Sequence, residues 1–473
     1  MTHPPTIASR PAGPPRLQRW FIRLLVAAVL LRLLIGLGLF LWGQGINPDY
    51  PVAAMSQRLM APDGQGYHTG AMKVHEYWAD PNPHKVLRHE HMVARFSVLV
   101  GAAYHLIWPH PLVMTLLNCL CYLGVGLLAR GLGLSLGQPP ARAAGLALII
   151  CLWPPSLAWS ALPMKDSVSV FLIFAILSQM LYLARGAGGS WPRGILAGAG
   201  LLLCAGLMIY TRFYFGYVVL AASALPLLAR LLPSPQPGPR PAWPALLGVL
   251  ALGVAAFALT QSWHREYFVY FEQGELLPRS QFEAAISQTY SAHKPTAPPA
   301  AAPAPETQAE PARPDPPRPP QDPAHLWREL NGYRERFQHF AGRSLAPDAD
   351  ASLGGGLLHA LRDIMLFPYP WQRWPATQHW TAMNLLVSTQ GLLWYGLLLG
   401  ILPGIYIHLR RRPDAALPLA LWGLGLGILL AFVVLNRGTL FRLRDMALMP
   451  LVLFWDMSWL GRWRRKQPPP PVN

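Results

Sequence analysis

The chain has 473 residues, 52% hydrophobic and only 13% charged, with 39 Lys and Arg against 22 Asp and Glu and a net charge of +17. So few charges over such a length exclude an ordinary soluble domain. The apolar residues come in long blocks without alternation, which excludes a β-barrel as well. The basic excess does not imply a nucleic-acid partner, because the arginines are spread over short loops and the ends of apolar runs. There positive charge anchors a cytoplasmic face and meets anionic membrane lipids.

Crossing a bilayer takes roughly 20 apolar residues, and about ten runs approach that length. The expected fold is all-α: a polytopic transmembrane helix bundle of about ten spans with a large outside segment that contains a disordered Pro-rich insert. Arg10, Arg16, Arg19 and Arg23 precede the first run, Leu24 to Trp42, and no small-residue cleavage site follows in Trp42-Gly43-Gln44. The run therefore reads as an uncleaved first span with its N-terminus inside. Residues 44–93 then form a polar outside loop. The run 95–109 is short for a span and reads as interfacial or re-entrant. Counting it as a span would put the later arginine clusters outside, against the positive-inside rule.

Further spans are expected near 111–130, 142–160, 167–185, 194–211, 213–230 and 243–262, and then near 383–408, 415–436 and 446–461. The inside loops hold Arg130, Arg142, Arg185, Arg193, Arg230, Arg240 and Arg410-Arg411-Arg412, and the tail adds Arg462, Arg464, Arg465 and Lys466. The chain divides into an N-terminal transmembrane core (1–262), an outside segment (263–382) and C-terminal helices with a basic tail (383–473). Within the outside segment, 291–323 is Pro/Ala-rich and expected to be disordered. The flanks 264–290 and 324–345 read as amphipathic helices, the second with Trp327, Leu330, Tyr333 and Phe337 at three-to-four spacing. Phe367-Pro368-Tyr369-Pro370-Trp371, Trp374 and Trp380 form an aromatic belt before the next span.

Polar groups that break this pattern carry the functional argument. Asp63 precedes Tyr67 and Ala71 at four-residue intervals, so a helix after Gly66 puts Tyr67 and Ala71 on one face. Asp63 then stands at the helix N-terminus, as a cap or as a reactive carboxylate. Lys165-Asp166 lies between two spans, either as a self-neutralising turn or as a used pair, since ionisable groups there are costly. Arg212 lies between two apolar runs. Arg437, Arg442 and Arg444 crowd an expected outside hairpin and contradict the charge rule. Arginine is a planar multidentate donor suited to phosphate, so these residues point to an anion site or to ordinary headgroup contacts. His68, His75, His84, His89 and His91, with Glu76 and Glu90, match no standard ligand spacing. No cofactor is expected, and a divalent metal held there is the weaker alternative to solvated histidines. Cys119, Cys121, Cys151 and Cys204 lie in apolar runs without a C-x-x-C pair and read as buried thiols.

The Asp63-x-x-x-Tyr67-x-x-x-Ala71 pattern after the first span resembles the GT-C superfamily, polytopic glycosyltransferases that use polyprenyl-phosphate sugars, including the protein mannosyltransferase and lipid A aminoarabinose transferase branches. Pro155-Ser156, Trp159-Ser160 and Lys165-Asp166 resemble bacterial members, as does Asn436-x-Gly438-Thr439-x-x-Arg442-x-Arg444. The likeness covers roughly 20–230 and 365–460. Many members carry Asp-Glu where this chain has Asp63-Gly64, and the segment 263–382 has no counterpart in the pattern. The resemblance implies Asp63 as general base, with Tyr67, Lys165, Asp166, Arg212, Arg437, Arg442 and Arg444 toward the substrate and its phosphate. It implies a polyprenyl-phosphate-linked sugar donor, a lipid, glycan or protein acceptor, and no required metal. The competing readings are an O-antigen-type polymerase or ligase and a transporter or flippase of lipid-linked sugars. The first places its key arginines in a large loop, and the second shows repeats and midplane polar groups. Arginine far exceeds lysine, and Ala, Pro and Gly abound, which fits a GC-rich bacterial genome and hence an inner membrane with the site facing the periplasm.

Overall fold

The computed structural model describes residues 15–58, 63–79, 92–184, 191–212, 215–231, 243–259, 268–272, 275–277, 358, 361–362, 364–366, 382–433 and 437–458. The expected insert 291–323, the helix 324–345 and the aromatic belt 367–380 lie outside the described residues. In chain order the elements are α1 (Pro15–Ile46), α2 (Pro51–Arg58), α3 (Asp63–Ala79), β1 (Met92–Ala94), α4 (Arg95–Leu106), α5 (Pro111–Ser135), α6 (Pro140–Cys151), α7 (Pro154–Trp159), α8 (Asp166–Ala184), α9 (Trp191–Thr211), α10 (Phe215–Leu231) and α11 (Trp243–Leu259). They continue with β2 (Phe268–Glu272), β3 (Glu275–Leu277), α12 (Ala382–Arg411), α13 (Pro413–Val433) and α14 (Arg437–Val452).

Among the described residues, five helices are long and apolar enough to cross a membrane, namely α1, α5, α8, α9 and α12, while the described apolar stretches of α6, α11 and α13 are shorter. The helical membrane-protein class stands, with five helices meeting the length where about ten runs approached it. Three local expectations change. The span expected at 142–160 is two helices, broken at Leu152-Trp153, because Pro154 and Pro155 cannot donate to the preceding turn and instead open α7. The last span was expected at 446–461, yet the helix starts at Arg437 and ends at Val452. Its arginines extend the helix upstream because Arg442 and Arg444 find buried partners, and the chain beyond Val452 turns off to pack on α12. Within 264–290, expected to be helical, Phe268–Glu272 and Glu275–Leu277 are strands. The β-branched and aromatic Phe-Val-Tyr-Phe run suits a strand, and it pairs antiparallel with β1, Met92 facing Tyr270, giving the order β1-β2-β3.

Lipid supplies no hydrophobic force between helices, so close packing of small residues has to hold them. The α1–α5 contact shows how. The ring of Phe40 meets His110 at 4.9 Å, Gly36 lies against Thr115, Gly126 lies against Leu25, and the Arg130 guanidinium covers Phe21 at 5.3 Å. Falling α1 numbers meet rising α5 numbers, so the two helices are antiparallel. Among the described residues, one core of buried apolar residues runs from α1 through α5, α6 and α8 to α13 and α14, and a second gathers Phe40, Tyr67, Ala71, Phe96, Tyr104 and Leu162 around α3 and α4.

This antiparallel arrangement gives the bundle two chemically different ends. At one, the start of α8, the end of α9 and the start of α14 meet α3. At the other, Gln138 after α5 donates to the Leu453 carbonyl at 3.0 Å and lies 3.0 Å from His408 of α12, while Arg142 pairs with Asp456 at 3.0 Å. Arg410 and Arg411 close α12 at that second end.

Candidate functional site

Asp63 occupies the first turn of α3, where its charge complements the helix dipole. Tyr67 and Ala71, four residues apart, are both buried on one face, as the spacing requires. That face meets α4 at close range: a Cβ on Gly101 would run into Val74 at 2.6 Å and the Ala71 carbonyl at 3.1 Å. The small residue lets α4 support α3 and so fixes where Asp63 stands.

The Lys165-Asp166 pair ends an irregular stretch that α5 holds in place. Thr115 Oγ1 donates to the Ala161 carbonyl at 3.0 Å, and Asn118 Nδ2 donates to the carbonyls of Ser160 at 3.1 Å and Leu162 at 2.9 Å. Asp166 opens α8, again a carboxylate at a helix N-terminus. The Lys165 ammonium lies 5.3 Å from the centre of the Tyr67 ring.

From these supports the charged groups converge. Asp63 Oδ2 pairs with Arg442 Nη2 at 2.6 Å, and Arg442 Nε stands 3.2 Å from Asp166 Oδ2. The other oxygen of Asp166 accepts from Arg212 Nη2, and Arg212 Nε donates to Ser169 Oγ at 2.9 Å. The result is a continuous chain, Asp63–Arg442–Asp166–Arg212, with Lys165 beside it, joining α3, α14, α8 and the end of α9. Arg442, Arg212 and Lys165 are buried, whereas the Asp63 side chain is 44% exposed. Two arginines face two carboxylates, with Lys165 standing beside them. Burial holds the Lys165 pKa well below the ordinary lysine value, the Arg212 charge adds to this, and Asp166 and Asp63 oppose it. Such a group gains from a further anion.

Six of the eight residues singled out in sequence therefore meet at one place: Asp63, Tyr67, Lys165, Asp166, Arg212 and Arg442. Arg444 does not join them. Two helical positions rotate a side chain by about 200°, so Arg444 points away from Arg442 into the bundle and is 2% exposed. There the Gln390 amide, with its oxygen turned toward the donors, accepts from Arg444 at 2.8 Å and from Trp153 Nε1 at 3.2 Å. Arg437 is the first residue of α14, and its side chain lies outside the described residues.

Two buried arginines escaped the sequence reading. Arg95, 4% exposed at the start of α4, lies 5.6 Å from the ring centre of Tyr210, two residues before Arg212. Arg32, fully buried inside α1, stacks 3.4 Å above the Tyr122 ring. A single arginine in an apolar run was the available signal in both cases.

Among the described histidines, His75 and His105 bring their rings to 5.7 Å. His68 Nδ1 lies 2.9 Å from the Tyr104 hydroxyl, and burial, with His110 adding, pushes the His68 pKa down to about 4. His84, His89 and His91 lie outside the described residues. Among the described residues no three His, Cys, Asp or Glu side chains gather as metal ligands. Cys119, Cys121, Cys151 and Cys204 are free thiols.

No family model, no curated protein and no solved structure matches the chain.

Proposed function

We propose that this chain is a membrane glycosyltransferase that moves a sugar from a polyprenyl-phosphate carrier to an acceptor hydroxyl or amine, with inversion. The observation that carries the reading is one half-exposed carboxylate, Asp63, ion-paired to a buried cationic cluster at one end of a membrane bundle. Asp63 takes the proton of the acceptor as general base, and the acceptor attacks the anomeric carbon. The bond from that carbon to the phosphate oxygen breaks, and charge builds on the lipid phosphate. Arg442, Arg212 and Lys165, preorganised in a site shielded from water, stabilise that charge. Asp166 holds the two arginines ready, so little reorganisation accompanies the step. The chemistry calls for no metal. The end bearing the cluster faces the periplasm of a bacterial inner membrane in this reading, because Arg410 and Arg411 lie at the opposite end.

A flippase would instead use polar groups within the membrane to line a path. Arg32 is such a group, but its donors are all turned to protein acceptors, which favours the transferase. The test is consumption of a panel of radiolabelled polyprenyl-phosphate sugars by the purified protein. Sugar release from at least one donor is expected. Intact donor together with labelled lipid crossing a liposome membrane would replace the transferase with a flippase.

A further inference from the structure

The break between α6 and α7 exposes backbone carbonyls deep in the bundle, where nothing but protein can satisfy them. Arg32 does so from the middle of α1. Its Nε and Nη2 donate to the Cys151 carbonyl, its Nη1 donates to the Ser156 carbonyl at 2.8 Å and to Ser160 Oγ at 3.1 Å, and its Nη2 donates to Ser156 Oγ at 2.8 Å. One planar guanidinium thus ties the last residue of α6 to the middle of α7 and to the residue that follows it. Ser160 begins the stretch that Thr115 and Asn118 then hold, and that stretch ends at Lys165-Asp166.

The same broken helix also reaches α14. Trp153, at the break, donates through Nε1 to Asp445 Oδ1 at 3.2 Å. Asp445 lies three residues after Arg442 on α14, so the turn that carries Arg442 is registered against the break. Both halves of the Arg442–Asp166 pair are therefore anchored to one short segment, residues 151–160, and Arg32 clamps that segment.

We propose that Arg32 is a positioning residue for the cluster: by clamping residues 151–160 it sets the approach of Lys165-Asp166 to Arg442, and so the geometry in which the donor phosphate is met. Its effect on turnover rests on the transferase reading, whereas its effect on the site's order does not. Charge alone cannot do this. A lysine at the same place is a single point donor and cannot bridge Cys151, Ser156 and Ser160 together.

The test uses the full-length protein in detergent micelles and compares wild type, Arg32→Lys and the milder Ser156→Ala/Ser160→Ala pair. Hydrogen exchange is the first readout. In both variants peptides covering 152–166 and 437–445 should gain deuterium together, with 413–428 unchanged. Uptake that stops at residue 156, or that rises equally everywhere, would overturn the proposal. The second readout is donor binding against turnover. One polyprenyl-phosphate sugar should still bind per folded protein, while kcat falls at least tenfold in Arg32→Lys, although it keeps the positive charge. Partial unfolding would reduce binding and turnover in step. Full turnover in Arg32→Lys would also overturn the proposal. A wild type that consumes no donor would sink the transferase reading and leave the exchange result to decide on Arg32.

Discussion

Asp166 determines the charge balance of the cluster. It accepts from Arg212 and pairs with Arg442, and both arginines are buried. Removing one member of a buried pair costs about 3–5 kcal/mol, because a charge is left without compensation. Asp166→Asn is therefore expected to lower the melting temperature in detergent and abolish donor turnover, while Asp63→Asn, at a half-exposed position, lowers stability little. Equal melting temperatures for wild type and Asp166→Asn would contradict this assignment. His68 gives a pH prediction. Its folded pKa, about 4, lies below the value near 6.5 of an exposed histidine. Between these values the unfolded chain binds more protons than the folded one, so stability falls as pH drops through that window. Melting curves from pH 7 to pH 4 should show the loss, and His68→Gln should flatten it. The positions of Asp63, Tyr67 and Ala71 were legible in the sequence, because a first-turn acid and a four-residue interval are local signals. Arg32 and Arg95 were not, since the partners that give Arg32 meaning lie more than a hundred residues along the chain.

At the scale of elements, two features set the site: the packed α3–α4 pair and the broken α6–α7 helix. Pro154 and Pro155 open α7, yet the apolar flanks read as one span in the sequence, because periodicity does not reveal a break that a distant arginine stabilises. The last helix was misplaced for a related reason. An arginine-rich stretch reads as exposed, and burial of Arg442 and Arg444 depends on carboxylates and amides from other elements. Beyond α14 the chain packs so closely on α12 that a Cβ at Gly404 would collide with the Phe454 carbonyl. A backbone atom cannot yield as a side-chain tip does, and overpacking of this kind costs roughly 1–3 kcal/mol. Gly404→Ala is expected to lower the melting temperature without changing the KM for donor, as the cluster lies at the other end of the bundle. A raised KM with unchanged stability would contradict that separation.

For the whole molecule, the decisive property is its polarity from end to end. One end gathers Asp63, Lys165, Asp166, Arg212 and Arg442, and the other gathers Arg142, Asp456, His408 and the arginines closing α12. The membrane class was plain from composition, because blocks of apolar residues have few other uses. The number of crossings was less plain, since the run expected as one span near 142–160 is divided by the break after α6, itself only 12 residues long. A transferase working on a lipid-borne phosphate needs this asymmetry: a bundle to receive the lipid and one charged end to meet the phosphate. The most direct test compares wild type with Asp63→Asn on the polyprenyl-phosphate sugars that the proposed transferase would consume, measuring binding and turnover on the same preparation. Donor binding retained with turnover down at least a hundredfold, the usual scale for a general base, is the predicted result. Turnover that persists in Asp63→Asn would contradict the account and move the base elsewhere.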